Sequence, residues 1–170
     1  MSHHPLPPLP EPAYALIRVE APPGVPARIA DRLREPGIPA GLIGYEYRPL
    51  GEPRFLGAVG EQGAVAVATR GLFGYIAVDV ATGRMVYVPR ADSAEAGHVN
   101  GDLDSFTRCV EAVIARFPFY AADDEGGFAE VADELRALLP RIDRTALAHS
   151  GFWETFCDDV EMGSYPDGDD

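Results

Sequence analysis

Lysine is absent from this 170-residue chain, so neither Schiff-base chemistry nor the phosphate-cradling GxxxxGK[ST] loop is available to it. The usual nucleotide enzymes are excluded. Cysteine is scarce: Cys109 and Cys157 lie far apart, without a CxxC partner or a metal-ligand neighbour, and read as buried thiols. No run of about 18 apolar residues occurs, and residues 1–12 carry too much proline and too little positive charge for a secretory signal. The chain reads as soluble and cytosolic. No serine sits in a GxSxG elbow and no HExxH motif is present.

What the chain has in excess is acid. Its formal net charge of −13 creates a field that repels nucleic acid and anionic membranes, while steering basic proteins toward it and raising encounter rates by about 10 to 1,000 fold. A basic protein is the partner that suits it. The same charge also serves solubility, so the distribution matters: after Arg144 no arginine or lysine appears, whereas Glu154, Asp158, Asp159, Glu161, Asp167, Asp169 and Asp170 all follow. At this length one domain suffices, burying roughly 70% of its unfolded surface without disulfides or a metal.

Residues 73–80 and 84–88 are rich in β-branched and aromatic side chains, and Gly83 between them supplies the positive φ of a tight hairpin. Further strands are expected at 43–47, 54–59 and 64–68, making an antiparallel meander of about five strands, with 14–19 as a possible edge. Val25, Ile29 and Leu33 recur at helical spacing before Pro36. The last third turns helical. One apolar stripe runs from Leu103 to Phe117 and stops at Pro118; another, after a loop at 123–127, runs from Phe128 to Leu139 and stops at Pro140. A third holds Phe152, Trp153, Phe156, Cys157 and Val160, with Gly163 as terminator. Asn100 or Asp102 is placed to cap the first of these helices. Strands first and helices after argue for α+β with the helices on one face of the sheet. The organisation expected is a proline-rich lead at 1–12, one domain at 13–163 and a disordered acidic tail at 164–170.

Candidate chemistry is thin. Asn100, Asp102, Asp104 and Glu111 copy some oxygen-ligand offsets of a calcium loop, but Ser105 replaces its turn glycine and the residues already read as a helix start. His98 and His149 lack a paired carboxylate nearby and read as surface or capping residues. Asp158 and Asp159 are adjacent on a helix, so they face different directions and read as a solvated face. Trp153, Tyr45, Tyr47, Tyr75 and Tyr87 read as core. No cofactor or metal site emerges.

The run Phe73-Gly-Tyr-Ile-Ala-Val-Asp79, then Thr82-Gly83-Arg-Met-Val-Tyr87, then Val99-Asn100-Gly-Asp-Leu-Asp-Ser-Phe106 resembles the signature of the SUKH superfamily of bacterial immunity proteins, most closely its fourth family. Gly37-Ile38-Pro39 resembles the GLP before that family's first strands, and Ile142-Asp143, Ala146-Leu147 and Phe152-Trp153 resemble its closing segment. Gly101 stands where the family often has serine. The resemblance implies a non-catalytic protein that masks a cognate toxin, often a nuclease or nucleic-acid deaminase, through about 1,600 Å² of interface. Glu154, Asp158, Asp159 and Glu161 are the candidate toxin contacts. A general intracellular scaffold and an acid-based hydrolase stay open as alternatives.

Overall fold

In the computed structural model, residues 14–40, 47–72, 74–121, 123–148 and 151–165 are described. In chain order they form β1 (Leu16–Ile17), α1 (Ala27–Arg34), β2 (Ile38–Pro39), β3 (Arg48–Leu56), β4 (Ala64–Arg70), β5 (Gly74–Asp79), β6 (Met85–Val88), β7 (Gly97–Asn100), α2 (Leu103–Arg116), α3 (Glu125–Ile142) and α4 (Phe152–Glu161). Strands β3 to β7 pair in sequence order as one five-stranded antiparallel meander, while β1 and β2 make a separate two-stranded sheet. The fold is α+β, as expected.

The hairpin of β5 and β6 closes where the sequence put it, with Gly83 at φ +74° and Val78 opposite Met85. Asp79 Oδ1 accepts bonds from the Thr82 backbone and hydroxyl, which fixes the turn. Alternation then sorts side chains between the two faces. Val65, Val67, Ile76, Val78, Met85 and Val99 point to the side where the buried stripes of all four helices collect. The bulge between Ala66 and Ala68 turns Val67 and Ala68 toward that same side. Leu56, Ala64, Ala66, Ala77, Val86 and Val88 point to the other side. There Leu50, Val59 and Ala91, contributed by irregular β3 and by the connections after β3 and β6, cover a smaller cluster without any helix.

The fifth strand differs from the expected one. Ile43 and Tyr45 lie outside the described residues, and it is β7, read from sequence as a loop running into a helix cap, that completes the sheet. Residues 14–19 supply β1, which pairs with β2 and not with the meander. Helix α3 begins at Glu125, inside the expected loop, because Asp124 caps it by accepting from the Gly127 amide. It also runs past Pro140. A proline so close to the end removes only one helical bond, to the Arg136 carbonyl, and the Asp143 amide still donates to the Leu139 carbonyl. Helix α4 does end at Gly163, at φ +80°, with the Phe128 ring in the space a Cβ would fill. Tyr165, inside the expected tail, is buried against Phe119 and Phe156; residues 1–13 and 166–170 lie outside the described set.

Candidate functional site

Charge and fold divide the chain in the same way. Residues 47–101, which build the large sheet, hold five acids and five arginines, whereas residues 102–165, which build α2 to α4, hold 14 acids and five arginines. Helices α2 to α4 therefore carry the field. Within it, α4 buries Phe152, Trp153, Phe156, Cys157 and Val160. Glu154, Asp158 and Glu161, spaced four and three apart, then share one strip on the outer side.

That strip does not stand alone. Arg136 reaches across from α3 and sets Nε 3.6 Å from Glu154 Oε1, and Nη2 2.7 Å from Asp158 Oδ1 and 3.0 Å from Glu161 Oε2. Its Nη1 lies 3.5 Å from Asp133 Oδ1. The guanidinium holds its proton more tightly than usual, chiefly through the bond to Glu161 and then that to Asp158, with burial opposing. One arginine among four carboxylates leaves three negative charges. Asp159 lies about 100° further round the helix and is half-buried. Beside this cluster, Arg116 of α2 pairs with Glu134 of α3 at 2.6 Å. Hydrogen bonding to Arg116 lowers the Glu134 carboxyl from its ordinary value.

Three of the residues that carry the family resemblance, Asn100, Asp143 and Trp153, sit inward. Asn100 and Trp153 are both fully buried. The Trp153 indole N–H donates to Asn100 Oδ1 at 2.7 Å, and Asn100 Nδ2 donates to Asp143 Oδ2 at 2.8 Å. The amide of Gly101 donates to the same Asp143 oxygen at 2.9 Å. Thr145 gives its amide and hydroxyl to Asp143 Oδ1. Burial alone pushes the Asp143 carboxyl up, but the bonds from Gly101, Asn100 and Thr145 outweigh it and hold the group at about 2. Asn100 is therefore no helix cap. Asp102 does that work, accepting from the Ser105 amide at 2.7 Å, and Asp104 pairs with Arg32, so the calcium-like spacing is dispersed among three jobs.

His98 departs from its expected surface role. It is buried, with Nδ1 2.7 Å from Arg84 Nη2 and Nε2 2.7 Å from Thr145 Oγ1. Arginine only donates, so Nδ1 carries the lone pair, and Nε2 donates to the threonine whose own proton is spent on Asp143. His149 lies outside the described residues. Among the described residues no group of three or more His, Cys, Asp or Glu side chains is placed to hold a metal ion, and no helix is long and apolar enough to cross a membrane. Burial pushes Cys109 and Cys157 up to about 12, which removes them as nucleophiles at neutral pH.

Four of the candidates named from sequence thus fall on α4, three of them on one strip, while Arg136 and Asp133 were missed. The only local sign of Arg136 is its spacing of three from Asp133; its other three partners lie on a different helix. A family model described as SUKH-4 immunity protein matches residues 18–159. No curated protein and no solved structure matches the chain.

Proposed function

The chain belongs to the SUKH-4 immunity protein family, and we propose that it neutralises one cognate bacterial toxin in the cytoplasm by stoichiometric masking, transforming no substrate itself. The family assignment supports an immunity role. The observation that carries the finer reading is the segregation of charge: the helical layer from residue 102 to 165 holds 14 acids against five arginines, beside a charge-balanced sheet. Toxins that act on nucleic acid, nucleases and deaminases among them, need cationic surfaces to hold phosphate. An anionic helical layer attracts such a surface over a long range and orients it before contact.

Glu154, Asp158, Asp159 and Glu161 are the proposed contacts. The test changes Asp158→Asn, Asp159→Asn and Glu161→Gln together and measures affinity for the toxin domain encoded beside this chain's gene at several salt concentrations. A slower association and a flatter salt dependence are expected. Unchanged affinity and salt dependence reject this face and leave the immunity role standing. The role itself is read by survival of cells co-expressing both proteins. Death despite full expression, or capture of several unrelated proteins in place of one toxin, contradicts it and favours a scaffold.

A further inference from the structure

We infer that Arg136 is a positioning residue for toxin capture: it fixes the carboxylate strip of α4 before the partner arrives and sets how much charge that strip shows. The inference rests on the proposed reading of α4 as the toxin-binding side.

The geometry of one side chain carries it. Arg136 comes from α3, and its side chain is 24% exposed, so it lies in the seam between two helices and not out in solvent. All three of its nitrogens face carboxylates: Nε toward Glu154, Nη1 toward Asp133, and Nη2 toward Asp158 and Glu161. Only a planar fork reaches four groups in this way; an ammonium ion is a point charge and cannot. Without the arginine, Glu154, Asp158 and Glu161 would repel one another along a single helix flank and swing apart among their rotamers.

Two separable consequences follow. The first concerns order: three acidic side chains already held in one conformation lose less rotamer freedom when a cationic partner docks, so the complex dissociates more slowly. Each carboxylate has about four lone-pair sites, and Arg136 uses only one oxygen of each, so acceptor capacity remains for the partner. The second concerns charge. Arg136 cancels one of the four negative charges, which slightly weakens the long-range attraction that governs association.

Replacing Arg136 by glutamine and by lysine separates the two effects, with association and dissociation of the toxin domain encoded beside the gene followed at low and physiological salt. For R136Q, association at low salt should rise about threefold with a steeper salt dependence, and dissociation should accelerate about tenfold. R136K keeps the charge and loses the fork, so association should hold while dissociation speeds about threefold. A purely structural arginine would lower thermal stability and leave dissociation unmoved in both variants, whatever the lost charge does to association, which overturns the inference. Wild-type kinetics in both variants overturn it together with the α4 face, but not the immunity role. A wild-type protein that forms no complex at all overturns the immunity role. Should R136Q fail to fold, R136K decides alone, and unchanged dissociation sinks the proposal.

Discussion

Replacing Asn100 with alanine tests the claim that the buried signature residues Asn100, Asp143 and Trp153 hold the fold together. Asn100 is fully buried and joins three elements: it accepts from Trp153 of α4, donates to Asp143 after α3, and sits at the end of β7. Truncation removes a hydrogen bond to a carboxylate, which contributes about 1.5–3 kcal/mol, and leaves the indole N–H unpaired at a further cost of about 1–3 kcal/mol. The expected loss is about 2.5–6 kcal/mol. Against a mid-range stability of about 10 kcal/mol the variant keeps a folded majority, and its melting temperature should fall by roughly 10–20 °C. Urea unfolding at pH 7 gives the number directly.

A double-mutant cycle with Trp153→Phe sharpens the test. In the W153F background the donor is already gone, so Asn100→Ala no longer strands it and should cost about 1–3 kcal/mol less than in the wild type. Toxin affinity of the folded fraction should be unchanged for N100A, since the side chain has no exposed surface. A loss below about 1 kcal/mol for N100A, or additivity of the two changes within about 0.5 kcal/mol, refutes the reasoning.

Three further outcomes follow from the same structure. Asp143 is held at about 2, below its ordinary 3.8, so its contribution is fully present above pH 3.8 and is lost as pH falls toward 2; acid unfolding of Asp143→Asn should lack that part of the slope, and an identical acid limb contradicts the assignment. Gly163→Ala forces a left-handed φ on a side chain whose Cβ meets the Phe128 ring at 2.5 Å, and should lower stability by about 1–3 kcal/mol in thermal unfolding. Cys109 and Cys157, buried and pushed up to about 12, should resist a thiol reagent at pH 8 in the native protein and react fully in denaturant; rapid native labelling of either contradicts their burial.

The elements legible in the sequence are those with long periodic stripes or a strong turn residue. The β5–β6 hairpin, α2 and α4 with its Gly163 stop are of that kind, because alternation, a 3.6-residue repeat and a positive-φ glycine each leave a local trace. Strand β7 left none. Its four residues, Gly97 to Asn100, are too few to show alternation, and His98 and Asn100 are polar because they bond inside the fold and not because they face water. Asn100 looked like a helix cap for the same reason: capping and core pinning both call for a short amide, and only Trp153 and Asp143, brought in from 53 and 43 positions away, tell them apart. Proline at 140 stopped the reading early because sequence rules treat it as a breaker, whereas its position near the helix end leaves little to break. The acidic strip was legible in part. Spacing along α4 put Glu154, Asp158 and Glu161 together, but the arginine that holds them belongs to another helix, and packing between helices has no signature in either one alone.

The central claim is masking of one toxin by one molecule of this protein, without turnover. Titrating the protein into a fixed amount of the neighbouring toxin domain, with the toxin's own activity as readout, tests it most directly. The account predicts activity falling in a straight line to zero at one equivalent. Inhibition completed by a small fraction of an equivalent, or toxin activity that persists with the protein in excess, contradicts it.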